Sequence, residues 1–237
     1  MPSVPAKRAL IVQHEHDGPA GLLGEHLEAR GYELHVLQVM QAGSTVSDVE
    51  FPDPTAFDLV APLGSIHGVY EDDVIGSWIG RELTMLRAAH AAGVPVFGIC
   101  FGVQAAATAI GGSVEKAPSW EVGWYGYDTS LPDVIGTGTW FTWHGDRFLL
   151  PPDVPALATT PLCNQSFRSG RSAGVQFHPE VTREIVADWA SKCSPAYFAA
   201  KGTSAGELLA GFDSVGADVA KRATVLFDWF LDEVAAS

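Results

Sequence analysis

The sequence predicts a single α/β domain over residues 1–237, with a largely parallel central sheet, an antiparallel extension and helices on both faces. Three observations carry this expectation. Short β-rich runs alternate with helix-period segments over the first hundred residues. Those runs lack the apolar/polar alternation of half-exposed strands, as strands covered on both faces do. Beyond Gly112 the texture changes to β-prone runs broken by Gly and Pro, and helical segments then close the chain. The core is expected over about 8–190 and the C-terminal helices over about 191–237.

The first βα unit joins a strand over 9–12 to a helix over 19–30 that Gly31 can cap. Further strands are expected over 34–39 and 58–63. A helix over 77–92 follows from Ile79, Leu83 and Leu86 at i, i+4 and i+7, with Gly93 and Pro95 as its stop. A strand over 96–99 then meets a small-residue helix over 103–110, ended by Gly111 and Gly112, which places Cys100 where strand becomes helix. Runs over 122–127, 139–143, 156–159 and 174–177 are expected to extend the same sheet in antiparallel fashion. The closing helices are expected over 182–192, 204–212 and 217–234, the last burying Val219, Leu226, Trp229 and Phe230.

A chain that is 47% hydrophobic and 18% charged can bury a sizeable core, which excludes disorder. Its 14 Lys and Arg against 28 Asp and Glu give a net charge of −14, the wrong sign for nucleic acid or an anionic membrane. Cys100, Cys163 and Cys193 are odd in number and lack C-x-x-C spacing, which argues against a disulfide framework or a structural zinc site. The N-terminal stretch MPSVPAKRALIVQ holds too short an apolar run for a signal segment, and no stretch reaches membrane-span length. A cytoplasmic location is therefore expected.

Gly98-Ile99-Cys100-Phe101-Gly102 has the form G-x-C-x-G, a thiol analogue of the nucleophile elbow. The glycines let strand and helix approach, the helix N-terminus favours a thiolate, and the next backbone N–H points at a developing oxyanion. A thiol nucleophile needs a base. Among eight histidines, His178 ends a β-rich run and is held out of helical geometry by Pro179. Glu180 shares its side-chain direction in an extended backbone and can orient the ring. His14-Glu15-His16-Asp17 follows the first strand, but four adjacent ligand types in one loop fit tetrahedral metal geometry poorly, so a substrate-facing loop is expected.

These residues resemble the class I, triad-type glutamine amidotransferase family, whose signatures are G-x-C-x-G-x-Q and a later Q-x-H-P-E; here they read Gly98 to Gln104 and Gln176-Phe177-His178-Pro179-Glu180. Glu121-Val122-Gly123-Trp124 and Trp143-His144-Gly145-Asp146 are similar to segments of GMP synthetase glutaminase domains. The resemblance implies a flavodoxin-like sheet with Cys100, His178 and Glu180 as catalytic triad at the strand ends. It implies that Cys100 attacks the carboxamide of glutamine, forms a thioester and releases ammonia. Gln104 and the turn at His144, Gly145 and Asp146 are then expected to hold the substrate's amino-acid end.

One motif departs from that family. Its Gly-Gly-Pro loop, which supplies a second oxyanion amide, reads Leu63-Gly64-Ser65-Ile66-His67-Gly68 here. Gly64 is retained, and the Ser65 amide can still serve beside that of Phe101, but a side chain narrows the dihedrals open to the loop. His67 is expected at the mouth of the pocket. The chain contains no P-loop and no cofactor motif, so none is expected; the ammonia acceptor then belongs to a separate synthetase subunit. Two alternatives are a stand-alone γ-glutamyl hydrolase and a catalytically silent binding domain.

Overall fold

Buried aliphatic runs make the centre of the computed structural model, which describes residues 6–237. The segment Met1–Pro5 of the N-terminal stretch discussed above lies outside the described residues. Strand β1 (Lys7–Gln13) is buried from Ala9 to Gln13, and its side chains divide by parity. Ala9 and Ile11 enter one core with Leu23 and Leu27 of α1 (Gly21–Ala29), whereas Leu10 and Val12 enter another. This is the two-sided burial that the missing alternation predicts.

After β2 (Tyr32–Gln38) the chain passes a 3-10 turn to β3 (Leu59–Pro62), then α2 (Asp72–Ile75), α3 (Ile79–Ala92), β4 (Val96–Ile99) and α4 (Phe101–Ala109). Gly93 adopts the left-handed conformation that stops α3. A long β5 (Ser113–Tyr125) is followed by β6 (Asp128–Thr129), β7 (Trp140–Leu149), β8 (Ala156–Thr159), β9 (Asn164–Ser169) and β10 (Ser172–Val175). Helices α5 (Arg183–Ser191), α6 (Pro195–Ala199) and α7 (Ala205–Trp229) close the chain, with a π-helical end at Phe230–Val234.

The main sheet has the order β2-β1-β3-β4-β10-β9-β8-β6. Its pairings from β2 to β10 are parallel, and those from β10 outward are antiparallel. Helices α1 and α7 cover one face, and α3 and α4 the other. Because β1, β3, β4 and β10 run in one direction, the residues that follow them meet at a single edge. This is the edge where open α/β sheets bind ligands.

Several local expectations need correction. The segments 122–127 and 139–143 do not extend the main sheet: they belong to β5 and β7, which pair as a separate two-stranded sheet. The ribbon twists away at a register shift between Lys116 and Glu121, and Val122 and Phe141 pack onto α5 and α7. His144, Gly145 and Asp146 therefore lie inside strand β7, not in a turn. The segment 174–177 begins earlier, as β10, and β9 beside it is polar at every position but Phe167, so it carries no hydrophobic strand pattern. The two helices expected over 204–212 and 217–234 form the continuous α7 with its π-helical end, and Gly211 does not interrupt it. Gly211 instead makes room for Trp124, since a Cβ there would lie 1.8 Å from Nε1 of the indole. Val219, Leu226, Trp229 and Phe230 are buried as expected.

Candidate active site

The strand-to-helix turn at Cys100 is strained. Cys100 is the one non-glycine residue with positive φ among the described residues, at φ 53° and ψ −110°. Such a conformation persists only where the surroundings impose it, and here the packing of the flanking glycines does so. A Cβ on Gly98 would lie 2.5 Å from the Gly102 carbonyl, and one on Gly102 would lie 1.9 Å from the Pro62 carbonyl oxygen. The Cys100 N–H donates to the Val175 carbonyl at 2.9 Å, tying the turn to β10.

His178 follows that same strand. Its N–H donates to the Phe141 carbonyl at 2.8 Å, and its Nδ1 donates to Glu180 Oε1 at 2.7 Å. The other ring nitrogen is left for Cys100, which hydrogen-bonds the ring. Both His178 and Glu180 are buried. Burial opposes a charged imidazole, but the facing charges of Glu180 and Cys100 and their hydrogen bonds raise the His178 pKa to about 10. The Glu180 carbonyl accepts from the Leu22 N–H at 2.8 Å at the start of α1, where a Cβ on Gly21 (φ 45°) would lie 2.2 Å from that oxygen. The structure thus brings together Cys100, His178 and Glu180.

The loop after β3 lies against them. A Cβ on Gly64 would sit 3.4 Å from His178 Cε1 and 3.8 Å from Cys100 Cβ. The Ser65 hydroxyl donates to Glu15 Oε1 at 2.7 Å, and the Ile66 N–H donates to the same oxygen at 3.1 Å. The Ser65 side chain is therefore a tie that holds the loop. Phe101 opens α4 on the other side of Cys100.

A further anchor lies beneath. His14 Nδ1 is 3.1 Å from the Gly64 carbonyl oxygen, and Nε2 is 3.0 and 3.1 Å from the two Glu82 carboxylate oxygens. Both partners only accept, so both ring nitrogens donate and His14 is an imidazolium. Burial works against that charge, yet Glu82 raises the His14 pKa above its usual value. The ring also meets Phe101 edge-on, with centroids 4.6 Å apart.

Gln104, His144, Gly145 and Asp146 line the same cavity, as does His67. Gln104 Nε2 donates to Gln176 Oε1 at 3.1 Å, and Gln176 Nε2 lies 3.6 Å from Cys100 Sγ. The Tyr70 hydroxyl donates to Asp146 Oδ1 at 2.6 Å, while burial pushes the Asp146 carboxyl up. His144 lies between the Asp146 carbonyl, 2.9 Å from Nδ1, and Glu121 Oε2, 3.1 Å from Nε2. Potential ligand atoms of Glu121, His144 and Cys163 lie within 4.8 Å of one another. Gln165 Nε2 donates to this Glu121 oxygen at 2.8 Å.

The loop at 14–17 does not gather a ligand set. His14 turns to Glu82 and Gly64, Glu15 to Ser65 and Ile66, and Asp17 to Lys192. Sequence reasoning missed the His14–Glu82 pair, the tie from Glu15 and an aromatic wall of Trp120, Trp143, Trp189 and Tyr197. The partners of each set are far apart in the chain and form no local pattern.

A family model for glutamine amidotransferase class-I matches residues 23–185. The chain belongs to the class-I glutamine amidotransferase family. Among curated relatives, the protein named GMP synthase [glutamine-hydrolyzing] from Ralstonia pickettii is 35% identical over 139 residues, which are 52% of this chain and 24% of that protein. One of the same name from Stenotrophomonas maltophilia is 35% identical over 128 residues, 45% of this chain and 24% of that one. The matched part thus spans about a quarter of those relatives' length. A glutamine amidotransferase from Thermotoga maritima shares the fold at TM-score 0.81 and 23% identity, covering 97% of this chain and 100% of that one. One from Methylobacillus flagellatus does so at 0.80 and 24%, covering 97% and 96%. Among the described residues, no helix of this amidotransferase-family chain is long and apolar enough to cross a membrane.

Proposed function

We propose that this chain hydrolyses the γ-carboxamide bond of glutamine or of a γ-glutamyl amide through a thioester on Cys100. The observation that carries the reading is that Cys100, His178 and Glu180 are assembled within the chain itself, beside the Gly64 loop. Cys100 Sγ adds to the γ-carbonyl carbon, and the backbone amides of Phe101 and Ser65 take the developing oxyanion. The C–N bond then breaks while His178 gives its proton to the departing nitrogen. Water next attacks the thioester and passes a proton to His178, and the C–S bond breaks to release glutamate. Glu180 orients His178 and stabilises its charge. Gly64, Gln104, His144, Gly145 and Asp146 form the floor for the substrate's amino-acid end.

Acid quenching during turnover of a γ-glutamyl amide is expected to trap a glutamyl adduct on the Cys100 peptide, seen by mass spectrometry. Iodoacetamide is expected to modify Cys100 before Cys163 and Cys193, whose thiols burial pushes up, Cys163 to about 12. Equal labelling of all three, with no adduct, would sink the reading.

A second reading, in which ammonia passes to a separate synthetase subunit, is supported by the name of the curated relatives. Ser65→Gly distinguishes the two. If the loop must rearrange on meeting a partner, removing the side chain frees it and raises kcat with little change in KM. The bond from Ser65 to Glu15 supports the opposite outcome. For a stand-alone hydrolase, Ser65→Gly is expected to lower kcat about tenfold by loosening a loop that is already competent. A rise in kcat on adding the change would favour the partner-dependent reading.

A further inference from the structure

The cavity at the site is about 480 Å³, within the range of roughly 300–1,000 Å³ that encloses drug-sized ligands. It is generous for glutamine, whose leaving group is ammonia. The chemistry fixes where the surplus space lies relative to the bond that breaks. His178 must reach the departing nitrogen to protonate it, so whatever that nitrogen carries leaves on the His178 side.

That side is aromatic. Trp189 meets the His178 ring edge-on, with centroids 5.2 Å apart. Trp143 lies 6.3 Å from Trp189 and 6.2 Å from Tyr197, and Tyr197 lies 6.3 Å from Trp120 at the rim. The rings form a continuous path from the acid to the cavity mouth. Their polar handles are largely spent internally: Trp189 Nε1 donates to the Asp17 carbonyl at 2.7 Å, and Trp143 Nε1 to the Tyr197 hydroxyl at 2.9 Å. Asp17, which shares this wall, is paired with Lys192. Lys201 Nζ lies over Trp120 and Tyr197, 4.2 and 3.6 Å from their ring centroids, but is not among the residues that line the cavity, so the wall presents mainly aromatic surface to it. Trp120 stays 48% exposed at the opening. Trp189 and Tyr197 come from α5 and α6, beyond residue 185 where the family match stops.

We infer that the substrate is a γ-glutamyl amide whose leaving amine carries an aromatic or bulky apolar group, seated along Trp189, Trp143, Tyr197 and Trp120. This rests on the hydrolase reading above. The thiolate–carbonyl chemistry is unchanged; the amine leaves with the His178 proton in place of ammonia, and water regenerates the thiol.

The test compares γ-glutamyl-(2-phenylethyl)amide with γ-glutamyl-ethylamide, amides of similar amine basicity, and with glutamine, on the full chain. The phenylethyl compound is expected to be turned over with kcat/KM at least tenfold above the ethyl compound. Trp120→Ala and Tyr197→Ala are expected to bring that ratio towards one, and Tyr197→Phe to preserve it. In Cys100→Ala protein, quenching of tryptophan fluorescence is expected to report tighter binding of the phenylethyl amide, independent of turnover. A ratio at or below one, with ethylamide or glutamine still hydrolysed, overturns the inference and leaves the hydrolase reading intact. No turnover of any of the three, with no glutamyl adduct on Cys100, overturns both.

Discussion

Replacing Cys100 by alanine is expected to reduce kcat/KM on the chain's substrate by about 10⁴-fold or more, with the fold retained. His178→Ala is expected to cost nearly as much, and the double variant little more than either single one. Residues that act as one unit are grossly non-additive, because once the nucleophile is gone its base has nothing to activate. Glu180→Gln should hurt less, since the amide still accepts the Nδ1 hydrogen bond at the 2.7 Å contact but no longer balances the ring's charge. The pH profile supplies the sign. His178 is raised to about 10 against the effect of burial, with Glu180 the leading cause of the rise. The proton that His178 gives to the leaving nitrogen is present below that pKa and lost as pH rises through it. Removing the Glu180 charge therefore moves the alkaline limb of kcat/KM to lower pH. Near wild-type hydrolysis by His178→Ala would end the assignment, as would an alkaline limb unmoved in Glu180→Gln.

The elbow was legible because its demands are local. A Cβ at Gly98 or Gly102 collides with backbone, so G-x-C-x-G records a constraint imposed by the fold itself. His178-Pro179-Glu180 was legible for the same reason: two residues of extended backbone carry both ring and carboxylate. The parallel core could be read from Ala9 to Val12, whose lack of alternation reflects two buried faces. The β5–β7 ribbon was misjudged because strand propensity says nothing about which sheet a strand joins, and its separation depends on packing against α5 and α7. The aromatic wall was invisible for a further reason. Trp120, Trp143, Trp189 and Tyr197 lie on different elements, and no period links them until the C-terminal helices fold back over the cavity. The tie from the Ser65 side chain was not legible, because Glu15, its partner, lies fifty residues away.

The His14–Glu82 pair is where stability and chemistry should come apart. Both side chains are fully buried, and the ring holds the Gly64 carbonyl while it lies edge-on to Phe101. It thus touches both segments proposed to supply oxyanion amides. His14→Leu leaves the Glu82 charge buried without its partner, and a loss of about 3–5 kcal/mol in unfolding free energy is expected. Replacing both residues by leucine removes the orphaned charge and should recover most of that stability. It does not restore the anchor on Gly64, so kcat in the double variant is expected to stay about 10- to 100-fold down, with KM changed less. The pH dependence follows from the direction of the shift. The His14 pKa is raised on folding, so its contribution is complete below the unfolded value near 6.5 and fades as pH rises through the folded value. The stability gap between wild type and the double-leucine variant should accordingly move in the variant's favour as pH rises, measured by urea unfolding at several pH values. A double variant with full kcat would show that Gly64 holds its place without His14. A gap independent of pH would show that the buried ring is not the imidazolium that its two acceptors require.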